Sequence, residues 1–327
     1  MIFLRGLSRW LLTLIMNSAF STWILVAVLL ATILSADTAK NWLATSGIYQ
    51  KALPTVITFS TGQNTGAASK DDLQKAMVAT FTPGYVQRQT ETIVQATYDW
   101  IHGKTKDISF SIPVKDKRAD YSANLQKELE AKFANLPACT MRIAPSESPT
   151  CIPQGYDAKK LASQYSQIPE SSDFLNAPIT PQSVQSFISV PNASSLPGIV
   201  ALMNTAVWAL PLIIVVCGAL YVLASDNKLL ALGAVGRRLC IHAAIWTVLG
   251  GALWIFGSGA DLSSLQGAGP SQAALLTPLV QRILPDIGIV VVLYAGSALI
   301  TSGVVWITTI FIRRRSTIIP DSPRMPL

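Results

Sequence analysis

Residues 287–315 read IGIVVVLYAGSALITSGVVWITTIFIRRR. The first 26 of them hold no Asp, Glu, Lys or Arg, and three arginines follow at once. A helix needs roughly 20 apolar residues to cross about 30 Å of hydrocarbon. A basic cluster just beyond such a run marks a cytoplasmic flank. Residues 10–35, 199–224 and 239–256 have the same character and also lack Asp, Glu, Lys and Arg. The sequence therefore predicts an α-helical membrane protein with four transmembrane helices, near 10–35, 199–224, 239–256 and 287–312.

Between the first and second of these stretches the composition changes. The chain is 50% hydrophobic and only 13% charged, against about 25% charged in average soluble proteins. Of its 18 acidic residues, 14 fall between Asp37 and Asp173, beside 15 of its 25 basic residues. Residues 36–196 thus have an ordinary soluble composition and near-zero net charge, and are predicted to form one water-soluble domain. The formal net charge of +7 does not point to nucleic acid. The excess lies in short clusters beside the apolar runs, whereas a nucleic-acid surface gathers its cations on one folded face.

Those clusters orient the chain. With the N-terminus inside, the inner segments hold Arg5, Arg9, Lys228, Arg237, Arg238, Arg313, Arg314, Arg315 and Arg324 against Asp226 and Asp321. The outer loop, about 257–286, holds Arg282 against Asp261 and Asp286. Residues 1–35 are then a cytoplasmic tip and first span, 36–196 an extracytoplasmic domain, 197–312 the remaining spans and 313–327 a cytoplasmic tail. The first span resembles a signal peptide in its basic start and its Leu34-Ser35-Ala36 sequence. Its apolar stretch of about 26 residues exceeds the roughly 7–15 of a signal core, which favours an uncleaved anchor. Cleavage before Asp37 would leave three spans.

Within the soluble domain, Thr82 and Pro83 have the residue types of a helix N-cap and first turn. Val86, Thr90, Ile93, Val94, Thr97 and Ile101 then recur at helical spacing up to Gly103. Residues 121–136 form a second amphipathic pattern on Leu125, Leu129, Phe133 and Leu136. Residues 41–53 and 70–81 are weaker helices. Residues 107–114 (DISFSIPV) alternate as a short strand does, with Ile108, Phe110 and Ile112 on one face. Residues 59–69 and 145–155 read as loops, and 169–197 as a Ser/Pro-rich tether. The domain is expected to be mostly α with minor β. Cys139 and Cys151, with eleven residues between them, are expected to pair as a disulfide outside the cytoplasm. No third Cys or nearby His completes a metal site around them. Cys217 and Cys240 lie within spans and read as small apolar residues.

Catalytic signals are weak. The chain lacks a Gly-rich phosphate loop, GxSxG, HExxH and CxxC. No catalytic, cofactor-binding or metal-binding residue is assigned, and no cofactor is expected. His102 reads as a solvated helix end. His242 lies in the third span, four residues past Arg238, and an ionisable residue at that depth is a candidate for function. Asn17 and Asn204 read as helix–helix hydrogen-bonding groups. Gly250, Gly251, Gly296 and Gly303 would allow close helix approach, although no strict GxxxG occurs among them. Asp71 with Asp72, and Glu91 with Asp99, are the nearest carboxylate pairs, on helices with solvated faces. Asn192-Ala193-Ser194 matches a glycosylation sequon.

Three stretches carry a resemblance: WLATSGIYQKALP (42–54), FTPGYVQRQTETIVQATYDWIHG (81–103) and ISFSIPVKDKRADYSANLQKEL (108–129). Together they resemble a bacterial group of multi-pass membrane proteins from Chloroflexi-type lineages. In that group an N-terminal anchor precedes a YxxxLP segment, a TPxxxQxQxExxxxxxxxWxxG helix and an I-x-I strand. The resemblance spans residues 1–140 and implies the same topology and a bacterial source. The group has no assigned activity, so the resemblance carries no site residues. The partners expected are the lipid bilayer and a protein partner or second copy, met through the spans or the outer domain, and not nucleic acid. A cell-envelope binding, sensing or scaffolding role is favoured over an enzymatic one. A transporter or channel component, and a membrane enzyme acting on lipid or cell wall, are the alternatives.

Overall fold

The structure is a computed structural model. It describes residues 2–49, 68–139, 149–167, 178–181, 193–260 and 270–318. The chain divides into two compact units, residues 1–42 with 194–327, and residues 43–193. Most of the loop expected over 59–69, the start of that over 145–155, most of the tether, Asn192 of the sequon and the end of the tail lie outside the described residues.

The first unit is a helical bundle. Its helices are α1 (Ile2–Ala31) and α2 (Ala36–Thr45), the second reaching into the next unit. After the inserted unit, which contributes α3 to α6 below, come α7 (Leu196–Leu223), α8 (Lys228–Gly257) and α9 (Pro270–Ile318). Four of these, α1, α7, α8 and α9, are long and apolar enough to cross a bilayer. Their outward faces are apolar: Trp208 is 82% exposed, Phe256 75%, Val248 71% and Ile300 70%. A bundle that exposes its large apolar side chains along its length is built for lipid. The chain is a multi-pass membrane protein.

The spans form two pairs, α1 with α7 and α8 with α9. The second pair is joined along a seam of small residues. On α8 these are Gly236, Ala243, Gly250 and Gly257; on α9 they are Gly288, Ala295, Ser302 and Thr309. Both sets recur every seven residues, so each stays on one stripe of its helix. A methyl group on Gly250 would lie 2.9 Å from the Gly288 carbonyl oxygen, and one on Gly288 would lie 2.6 Å from that of Gly250. A methyl on Gly236 would meet the Ser302 carbonyl oxygen and the Trp306 nitrogen, each at 3.2 Å. Ala243 and Ala295 are fully buried in one cluster with Phe20, Ile24, Val28 and Val291. In lipid there is no hydrophobic force between helices, and close backbone approach supplies the attraction instead.

Of the glycines expected to serve this purpose, Gly250 does. A Cβ on Gly251, Gly296 or Gly303 would meet nothing within 4 Å. The fourth span also begins earlier than expected. Residues 270–286, read as loop, are helical despite Pro278 and Pro285. At Gly257 an added methyl would lie 2.7 Å from the Leu284 Cβ and 3.1 Å from the Pro285 Cδ. This packing overrides the usual cost of proline inside a helix.

The inserted unit contains α3 (Lys70–Thr80), α4 (Pro83–Ile101), α5 (Arg118–Phe133) and α6 (Ala158–Tyr165). Ser69 and Asp72 close a capping box on α3, and Thr82 caps α4 by accepting from the Tyr85 amide. The core is the α5 stripe Tyr121, Leu125, Leu129 and Phe133 against Leu73, Ala76 and Met77 of α3 and Leu161 and Ala162 of α6. The helix expected over 41–53 starts at Ala36 and breaks after Thr45, where Gly47 takes a φ of 69°.

The strand expected over 107–114 reduces to a single antiparallel bridge, Ile112 with Ile179. Ile112 and Val114 are buried as the alternation implies. Ile179 stands between Pro178 and Thr180-Pro181, and prolines donate no hydrogen bond to a ladder. A second bridge, Ala138 with Ile152, is flanked in the same way by Pro137 and Pro153.

A candidate binding cleft and the polar seam between spans

Cys139 and Cys151 form a disulfide with Cα atoms 5.0 Å apart. It closes beside the Ala138–Ile152 bridge, where the Cys139 amide donates to the Ile152 carbonyl at 2.9 Å. Cys217 is buried with Met16 and Val235, and Cys240 is half-buried.

The carboxylate pairs do not converge on a cleft. Asp71 pairs with Lys75 at 2.8 Å. Asp72 accepts the Ser69 amide at 2.8 Å and the Lys132 ammonium at 2.9 Å. Burial alone would raise the Asp72 carboxyl, but the Ser69 and Lys132 hydrogen bonds outweigh it and hold it below the ordinary carboxylate value. Glu91 accepts from Gln87, and Asp99 from Gln95 and Lys104. Each of the four caps, pairs or braces its own helix or, for Asp72, also ties α3 to α5 through Lys132. Among the described residues no group of three or more His, Cys, Asp or Glu side chains comes together to hold a metal ion.

A polar cleft of about 560 Å³ opens where the end of α3, the first turns of α4 and the start of α5 meet. Thr80 lies at its base, 4% exposed. Its hydroxyl donates to the Ala76 carbonyl at 2.7 Å and accepts from the Asn124 amide at 3.0 Å. On one wall Lys117 pairs with Asp120 at 2.7 Å and stands 5.7 Å above the Tyr85 ring. Burial raises the Tyr85 phenol, against the pull of the Lys117 charge. Arg88, one α4 turn beyond Tyr85, also lines the cleft. Its guanidinium makes no hydrogen bond or ion pair among the described residues. Two cations thus face one carboxylate. Sequence reading missed this site because its residues come from three separate elements and form no local motif.

The bundle has a second polar feature, a seam between its two helix pairs. Arg9, Thr13, Asn17 and Ser21 follow each other at four-residue spacing on α1, as do Arg238, His242 and Trp246 on α8. The Arg238 guanidinium donates to the Thr13 hydroxyl, and the Trp246 indole donates to Ser21 at 3.4 Å. Arg238 also stacks 5.4 Å from the Tyr221 ring of α7. Arg9 donates to the Ala224 carbonyl at 2.9 Å and lies 3.8 Å from Asp226. At the other end of the bundle the Trp42 indole donates to Asp286 at 2.8 Å, beside Arg282.

The polar residues expected to bond between helices behave differently. The Asn17 side-chain oxygen is buried with no partner, and Asn204 is exposed on α7. Among α9 residues lining a groove of about 360 Å³ between the spans, the hydroxyls of Ser297, Thr301 and Ser302 bond back to their own helix. That groove is therefore apolar in effect.

No family model, curated protein or solved structure matches the chain. What stands of the resemblance above is the class it implies, a multi-pass membrane protein.

Proposed function

We propose that this is a cell-envelope binding or sensing protein whose residues 36–196 face the extracytoplasmic side. Both termini are then cytoplasmic and the first span is retained. Three observations support the orientation. The basic groups gather at one end of the bundle, where Arg9 reaches the α7–α8 turn and Arg238 reaches α1. The Cys139–Cys151 disulfide suits an oxidising compartment. Met16, Phe20, Ile24 and Val28 of α1 are buried in the bundle, as a permanent span requires.

The cleft at Arg88 carries the functional reading. Its volume lies in the range of small-molecule sites. Its unpaired guanidinium, beside Lys117, favours a ligand bearing a carboxylate or phosphate. Asn124, Gln89 and Thr82 supply neighbouring hydrogen-bonding groups for a hydroxylated body.

The test is thermal unfolding of the full chain in detergent with phosphate, citrate and a uronic acid. A bound anion at a hundred times its Kd stabilises by about 2.7 kcal/mol, and Arg88→Ala removes the shift. No shift with any of the three, or an equal shift in Arg88→Ala, contradicts the reading. One observation favours a second reading, a transporter or channel component: the polar seam between the helix pairs. Against it, the seam stops at Trp246, with the edge-to-face contact of Trp23 and Tyr294 also between the pairs.

A further inference from the structure

We propose that Asn17 and His242 hold a bridging water within the bundle, and that this water is continuous with the aqueous phase at the end carrying Arg9 and Arg238. The argument begins with register. Thr13 bonds to Arg238 and Ser21 to Trp246, and both pairs are separated by 225 residues. α1 and α8 are thus parallel and in constant register along the seam. Asn17 lies midway between Thr13 and Ser21, and His242 midway between Arg238 and Trp246. Residues four apart on a helix differ by only about 40° in direction. Asn17 and His242 must therefore face each other as the middle rung.

That rung differs from its neighbours. The Asn17 oxygen is buried and has no hydrogen-bond partner, so it does not bond directly to His242. The His242 Nδ1 lies 3.1 Å from the Arg238 carbonyl oxygen. With its proton on Nδ1, donated to that carbonyl, the imidazole leaves Nε2 as a bare acceptor. Two acceptors then face each other, and two acceptors cannot bond directly. A water donates to both and offsets the cost of leaving a buried amide oxygen unmade.

α1 packs chiefly on α7, and α8 on α9, so α1 and α8 share a smaller contact, spanned by the Arg238 and Trp246 side chains. A second unpartnered buried polar atom, Arg9 Nε, lies two turns toward the basic end of the same α1 face. It marks the direction from which water enters. In the other direction the Ser21–Trp246 rung closes the seam. The charged groups around the mouth are Arg9, Asp226 and Arg238.

Hydrogen–deuterium exchange at the imidazole C2–H of the full chain in nanodiscs tests this without substitution. The chain has two histidines, and exposed His102 serves as the internal standard. A hydrated His242 exchanges within about tenfold of His102, whereas a rate more than about a hundredfold slower overturns the proposal. Thiol labelling then locates the source of the water. In a chain carrying Cys217→Ala and Cys240→Ala, Asn17→Cys reacts with an impermeant reagent from the same side as Arg237→Cys, and Val28→Cys is protected. Labelling of Asn17→Cys only from the opposite side, or no faster than Val28→Cys, also overturns it.

Discussion

The centre of the bundle and the centre of the inserted unit are built from opposite materials. Between α8 and α9 the contact is made by Gly236, Gly250, Gly288 and Ser302, and the backbones nearly touch. Under α5 it is made by Leu125, Leu129 and Phe133, which fill space between helices held apart. The difference follows from the solvent. In water, removing large apolar side chains from contact with solvent drives folding. In lipid that transfer gains nothing, so association depends on packing, and packing is closest where side chains are smallest. The polar seam between α1 and α8 is a third case, in which the Arg238 and Trp246 side chains reach across to Thr13 and Ser21.

Substitutions that exchange these materials should separate the two centres. The largest effect is expected at Gly288→Leu. Overpacking against movable side chains already costs about 1–3 kcal/mol, and here the first obstacles include the Trp254 nitrogen and the Gly250 carbonyl oxygen. Detergent-resistant folding of the bundle should be lost, whereas Gly296→Leu, facing open space, should leave it intact. Equal behaviour of the two would break the comparison. In the inserted unit the converse change, Leu129→Ala, should cost about 2–5 kcal/mol in denaturant unfolding and leave the α8–α9 pair unaffected. Replacing Cys139 and Cys151 by serine should cost roughly 2–3 kcal/mol for a loop of this length, with no change in the bundle. The smallest effect is at Asp72. Its folded carboxyl lies below the ordinary value near 3.8, so its contribution is present above that value and lost as pH falls through the folded one. Asp72→Asn, which removes the charge paired with Lys132, should cost at most about 1 kcal/mol at neutral pH and flatten the acid limb of the stability profile.

The same contrast explains how much was legible in the chain. Long apolar runs without charge identify spans directly, so all four appear near their expected places. The α5 stripe is equally plain, because Leu125, Leu129 and Phe133 recur at helical spacing. The small-residue seam was less visible. A search for GxxxG overlooks it, although Gly236, Ala243, Gly250 and Gly257 repeat every seven residues in plain sight. α6 went unread because eight residues carry little periodicity beyond Leu161 and Ala162; its Asp157 cap, which accepts from Lys160, was the available signal. The alternation of 107–114 is real, but a strand needs a partner, and Pro178 and Pro181 restrict that partner to Ile179. The cleft and the seam both depend on residues far apart in sequence, and only the register of two helices places Asn17 opposite His242.

The account as a whole rests on the chain crossing the membrane four times, with residues 36–196 on the outer side. In a Cys217→Ala, Cys240→Ala background, single Lys106→Cys and Arg237→Cys chains can be treated in intact cells with an impermeant maleimide. Both positions are exposed. The account predicts that Lys106→Cys is labelled at once and Arg237→Cys only after permeabilisation. Labelling of Arg237→Cys in intact cells, or protection of Lys106→Cys there, would contradict it.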